Sequence, residues 1–126
     1  MLPANYRLTR MKDFEILFKE GRFVGANILT LKIWRIEPEK YPRRTYQKTD
    51  LKIGFVVGTK IDKRAVVRNR LKRQMREVVR LLLKDEKIKS GYMMAFIAKK
   101  KMIGKTYAEI DKDILFVSRK ARVLNN

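Results

Sequence analysis

Lys60, Lys63, Arg64, Arg68, Arg70, Lys72, Arg73, Arg76 and Arg80 crowd into one segment of the chain, opposed there only by Asp62 and Glu77. Arginine predominates, and its planar guanidinium presents parallel donors to a phosphate or carboxylate. The chemistry such a segment can do is capture of a polyanion. A helix face that merely meets water usually mixes signs, because like charges at i, i+4 destabilise a helix by roughly 0.2–0.5 kcal/mol per pair. Here Arg68, Lys72, Arg76 and Arg80 repeat at that spacing without compensating acids, which favours a phosphate-bearing partner over a solvated face.

Bond-making groups are scarce by comparison. The chain has no cysteine and no histidine, which excludes a Cys–His pair, a Ser–His–Asp triad, a histidine proton shuttle and a thiolate metal site. Asp111 and Asp113 resemble a metal-ligand doublet, but acids early in a helix ordinarily answer the helix dipole. No catalytic residue and no metal site is expected on the protein.

Composition agrees. The balance of 32 Lys+Arg against 13 Asp+Glu gives +19 over 126 residues. A folded monomer with that surplus repels itself, so a polyanion is the natural partner, nucleic acid first and a membrane surface second. No apolar stretch approaches the roughly 18 residues needed to cross a bilayer, and the opening residues lack the apolar block of a secretory signal. A cytoplasmic protein without membrane association is expected. A hydrophobic fraction of 45% is ordinary for a folded chain, and the length fits one domain spanning residues 1–126.

Folded elements must position these residues. Met11, Phe14, Leu17 and Phe18 recur at helical spacing and predict an opening helix over roughly residues 9–20, ended by Gly21. A strand is expected from Phe23 to Ile36, with Leu29, Leu31 and Ile33 toward the core and Thr30, Lys32 and Trp34 projecting from a free face. Residues 37–50, carrying Pro38 and Pro42 and no apolar period, read as a polar loop. A strand from Leu51 to about Thr59 puts Ile53, Phe55 and Val57 on one face. Gly54 and Gly58 fall on the other, where a neighbour can approach closely.

The basic segment forms a helix from about Ala65 to Lys84, docked by Val67, Leu71, Met75, Val78 and Leu82. Arg68, Lys72, Arg76 and Arg80 line one flank, and Arg70, Arg73 and Lys84 another. Residues 91–98 are apolar enough for a strand buried on both faces. Thr106 and Glu109 have capping-box spacing for a last helix, with Ile110, Ile114 (or Leu115), Val117 and Ala121 as its core stripe. The order is α-β-β-(β)-α-β-α, the extra strand arising if the first is split in two at the loop. The fold class is an α/β (α+β) two-layer sandwich on a small central mixed sheet.

Residues 52–77 closely resemble the signature of the protein subunit of bacterial ribonuclease P, and the core Arg68-Asn69-Arg70-x-Lys72-Arg73-x-x-Arg76 is highly specific to that family. Arg7-Leu-Thr-Arg-x-x-Asp-Phe14, with Phe18 and Gly21, resembles the family's opening helix. Ile97-Ala-Lys-Lys100 and Thr106-Tyr-x-Glu109 resemble its third strand and closing helix, so the resemblance covers about residues 7–122.

The resemblance implies a catalytic RNA subunit that, with bound Mg2+, hydrolyses one phosphodiester of precursor tRNA and removes the 5′ leader. One protein per RNA is expected. Lys60, Arg64, Arg68, Asn69, Arg70, Lys72, Arg73 and Arg76 would face the RNA subunit. Phe14, Phe18, Thr30, Lys32 and Trp34 would line a cleft for the leader, aromatics stacking on bases while cations meet phosphates; phenylalanine at helical spacing serves a core equally well. Lys32 stands where many members carry an aromatic residue, and Thr59 where lysine is common. The family's β-α-β crossover is left-handed, and the resemblance implies that hand here against the general rule. A ribosomal or other structured-RNA-binding protein would share the size, charge and build. A DNA-reading helix is disfavoured, because Leu71, Met75 and Val78 dock this helix on a sheet.

Overall fold

Parity breaks within the first apolar run: Val24 is even-numbered, whereas Leu29, Leu31 and Ile33 are odd. One continuous strand would therefore turn Val24 to the wrong face. In the computed structural model, which describes residues 2–125, a turn removes the conflict. Strands β1 (Arg22–Gly25) and β2 (Leu29–Arg35) pair antiparallel, with Val24 opposite Leu31. The single strand expected from Phe23 to Ile36 is thus two, split at residues 26–28 rather than at the loop beyond. Met1 and Asn126, the ends of the expected domain span, lie outside the described residues.

β3 (Leu51–Val56) and β4 (Tyr92–Ala98) complete a mixed sheet in the order β1-β2-β4-β3. β4 is central, antiparallel to β2 and parallel to β3. Met93, Met94, Ala95 and Phe96 are fully enclosed, as an unbroken apolar run predicts. Parallel neighbours need a crossover, and α2 (Ala65–Lys84) supplies it between β3 and β4. α1 (Met11–Glu20) precedes the sheet and α3 (Tyr107–Lys120) follows it. The architecture is α+β, as expected.

One face of the sheet carries the main core. Val67, Leu71, Met75, Val78 and Leu82 of α2 are all buried in it, joined by Val79, and α3 adds Ile110, Ile114, Val117 and the following Ala121. Phe55 stacks on its register partner Phe96 at 6.0 Å. α3 begins with the expected capping box: Glu109 N–H donates to Thr106 Oγ1 at 3.2 Å, and Thr106 N–H to the Glu109 carboxylate at 3.1 Å. Asp113 neither answers a dipole nor pairs with Asp111. It accepts the Ile28 backbone N–H at 2.8 Å and so pins the β1–β2 turn to α3.

The opposite face is less open than its alternation implies. Leu8, Ile16, Leu17, Trp34, Met93 and Ala95 form a second core beneath α1. The 37–50 connection joins it, because Tyr41 and Tyr46 pack edge-on against Trp34 at 5.8 and 6.0 Å. Carboxylates of α1 fasten this strap. Asp13 accepts from Arg44 at 2.8 Å and from the Tyr46 hydroxyl at 2.5 Å; Glu20 accepts from Lys40 at 2.7 Å and the Tyr41 hydroxyl at 2.5 Å. Gly54 admits the close neighbour expected of it, the Phe14 ring. Gly58 does not: it lies beyond β3 with open space around it.

Candidate nucleic-acid interface

The entry to α2 is braced by its own cations. Asp62 accepts the Arg64 backbone N–H at 2.8 Å and two guanidinium nitrogens of Arg64 at 3.1 and 2.9 Å. These bonds from Arg64 hold the Asp62 carboxyl down at about 2. Arg68 donates to the carbonyls of Asp62 and Lys63 at 3.1 and 2.7 Å, satisfying acceptors in the turn before the helix. Farther along, Arg80 is paired with Glu77 at 2.6 Å. The flank of Arg68, Lys72, Arg76 and Arg80 is therefore partly occupied at both ends. Asn69, Arg70 and Arg73 face solvent, as does Lys60 in the approaching loop. All the residues expected to face the RNA subunit thus lie on α2 or in the turn leading into it.

Lys72 and Arg76 point toward the edge of β3, where the N-terminal segment lies alongside: Leu8 N–H donates to Ile53 C=O at 3.0 Å. A groove of about 310 Å³ results, lined by Arg7, Thr9, Gly54, Phe55, Lys72 and Arg76. Arg7 is a third cation here. Its distance in sequence from α2 hides the association from any local period, and its place in the family-like opening motif is the one signal that marks it.

Strand register sorts the cleft face into rows. Gly25, Thr30, Ile97 and Val56 lie across one level; Phe23, Lys32, Ala95 and Gly54 across the next; Trp34, Met93 and Lys52 across the third. The first row is open, with Thr30, Ile97 and Val56 half-buried. Over the second row sits α1: Phe14 is half-buried above Gly54, while Phe18 remains 42% exposed. The third row is closed by the strap.

Two expected cleft residues are corrected by this arrangement. Trp34 is 4% exposed and Lys32 5%, since α1 and the strap cover the face from which both were expected to project. Lys32 places its Nζ 3.8 Å from the Phe23 ring centroid and 5.8 Å from that of Phe18. Those two rings meet edge to face at 6.5 Å. Phe23, Val56 and Ile97 also border the open surface; no local period marks them, because three separate strand pairings, β1–β2, β2–β4 and β3–β4, bring them to one face.

Among the described residues no three acidic side chains converge to hold a metal ion, and no helix is long and apolar enough to cross a membrane. The site is a cationic helix joined through a groove to an aromatic cleft, suited to phosphates along one side and unpaired bases along the other.

Residues 2–122 match the family model described as Ribonuclease P. The ribonuclease P protein component of Clostridium kluyveri is 32% identical over 116 residues, covering 92% of this chain and 94% of its own. That of a Pseudanabaena species is 34% identical over 125 residues, covering 99% and 98%. The RNase P protein of Staphylococcus aureus shares the fold with a TM-score of 0.74 at 22% identity, over 95% of this chain and 98% of that one. The Thermotoga maritima protein does so at 0.68 and 24%, over 90% and 96%. With the family model spanning nearly its whole length, the chain belongs to the ribonuclease P protein family.

Proposed function

We infer that this chain is the protein component of a ribonuclease P, binding the enzyme's RNA subunit through α2 and the 5′ leader of precursor tRNA through the cleft beside α1. It assists Mg2+-dependent endonucleolytic removal of the leader, one protein acting with one RNA. The observation that carries this reading is that two surfaces meet at Gly54: it lines the groove with Arg7, Lys72 and Arg76 of the cationic side, whose helix also exposes Asn69, Arg70 and Arg73, and it lies under the Phe14 ring of the cleft. Phosphate-binding and base-stacking surfaces are thereby adjacent. On this reading the Mg2+ and the bond-breaking chemistry belong to the RNA subunit, and the protein's part is to hold that RNA and the leader.

Reconstitution with the RNA subunit of the same genome tests this. The protein alone should leave precursor tRNA intact, and the complex should process it at lower magnesium than the RNA alone. If the complex gains neither processing nor leader affinity, the reading fails. A ribosomal role would instead place the protein with ribosomal subunits on sedimentation, and the family match argues against it.

A further inference from the structure

Across β1 from the cleft lies a second place where an exposed ring meets lysines. Phe116, on the outward side of α3, is 50% exposed and belongs to neither core. Lys120 sets its Nζ 5.7 Å from the ring centroid. Lys112 and Lys120 stand four residues before and after the ring, a rise of about 6 Å along the helix on each side.

The opposite wall is the β1–β2 turn. Gly25, Ala26 and Asn27 face Lys112, Phe116 and Lys120 across a groove of about 410 Å³, well within the size of small-ligand sites. Two tethers fix its width: Asp113 accepts the Ile28 N–H at 2.8 Å, and Arg22 donates to the Ala121 carbonyl at 3.2 Å. Lys99, just after β4, steadies the turn itself by donating to the Ala26 carbonyl at 2.6 Å. Gly25 contributes only backbone to that wall. Because Asp113 is spent on the turn, the groove's outward charges are lysines.

We propose that this groove binds an unpaired RNA nucleotide, its base stacked on Phe116 and its flanking phosphates on Lys112 and Lys120. A ring between two cations is the arrangement single-stranded nucleic acid takes, since every base has a face to stack and every link a phosphate to neutralise. Asn27 adds an amide that can both donate to and accept from a base edge. A net charge of +19 repels a second copy of this chain and selects a polyanion. The groove also begins two residues along β1 from the exposed Phe18–Phe23 pair. A strand leaving the cleft over the β1 edge therefore arrives at Phe116. The proposal rests on the ribonuclease P reading above, and the nucleotide comes either from the distal leader or from the RNA subunit.

The test uses the full chain and its RNA subunit. Affinity is measured for the RNA subunit alone and, in the reconstituted complex, for precursors with short and long leaders. Phe116→Ala should weaken binding in at least one arm by about 5- to 150-fold, the range of one base–aromatic stack. Phe116→Trp should retain it and Phe116→Leu should not, which separates a ring face from mere apolar bulk. Replacing Lys112 and Lys120 by Ala together should flatten the salt slope by about 1.4, the value for two phosphates on a single strand. A loss confined to long leaders supports the leader as the source, and a loss with the RNA subunit alone supports that RNA. Unchanged affinity of Phe116→Ala in every arm overturns the proposal. Arg70→Ala, run alongside, reports on α2 independently, so that failure of the groove and failure of the ribonuclease P reading are told apart.

Discussion

The Phe14 ring occupies the space that a side chain on Gly54 would need: a Cβ there would stand 2.9 Å from Phe14 Cζ and 3.3 Å from the Leu8 Cβ. The cleft wall on α1 is thus located by the absence of a side chain on β3. Gly54→Ala should push the ring outward, because the ring is the movable partner and the sheet is not. The expected cost is about 1–3 kcal/mol of stability, the usual range for overpacking, read by urea denaturation. Leader affinity should fall while affinity for the RNA subunit holds. Equal losses in both would show that Gly54 supports the whole fold rather than the cleft.

Arginines of α2 should not contribute alike. Arg70 is exposed, whereas Arg80 is already paired with Glu77 at 2.6 Å. Arg70→Ala should cost about 1–3 kcal/mol of RNA-subunit affinity and lower the salt slope by about one. Arg80→Ala should cost less, because RNA must first compete with Glu77 for that guanidinium. Filter-binding titrations across a potassium chloride series measure both, and equal slopes for the two variants would refute the ranking.

The contrast between α2 and Trp34 shows which parts of this molecule local sequence could reveal. Val67, Leu71, Met75, Val78 and Leu82 are all buried as their spacing predicts, because a helix repeats its contact every turn within one continuous segment. The alternation of its own strand predicts a free Trp34. What buries it are Tyr41 and Tyr46, held by Asp13 and Glu20 of another element. No period links those positions, and the prolines near the tyrosines signal a loop without saying where it lies. Arg7 joined Lys72 and Arg76 by the same kind of nonlocal closure. The hairpin was different, since the parity change between Val24 and Leu29 was present in the sequence all along.

The strap should respond to alkali. Burial first, and then the hydrogen bond to Asp13, push the Tyr46 phenol up to about 12. An unfolded tyrosine releases its proton near 10, so the folded state holds a proton that the unfolded chain loses. This contribution is complete below about pH 10 and disappears as pH rises toward 12. Ionisation would set a phenolate against the Asp13 carboxylate and loosen the strap from Trp34. Trp34 is the sole tryptophan, so its emission should shift to the red through that window. Tyr41, raised by its hydrogen bond to Glu20, titrates in the same direction, and Tyr46→Phe should remove only part of the change. An identical profile in Tyr46→Phe would exclude Tyr46 as the responsible group.

Lys32 offers a sharper test, because its charge is held without an acid. It is 5% exposed, none of the salt bridges among the described residues includes it, and its ammonium lies over the Phe23 and Phe18 rings. Burying an ammonium is costly, and the faces of the two rings offset part of that cost. Phe23 is itself 61% exposed, so the lysine anchors the ring as much as the ring shelters the lysine. Lys32→Met keeps the apolar stem and removes both the charge and its desolvation, so net stability should change little. Phe23→Leu leaves the ammonium with one ring and should destabilise more. Their difference is measurable in a double-mutant cycle by urea denaturation, with a coupling of about 0.5–2 kcal/mol expected for a largely desolvated cation–π contact. Lys32→Met should also weaken leader binding, since Phe18 and Phe23 lose the charge that fixes their mutual orientation. Zero coupling would mean the rings and the lysine are neighbours without being partners, and the leader effect should then vanish with it.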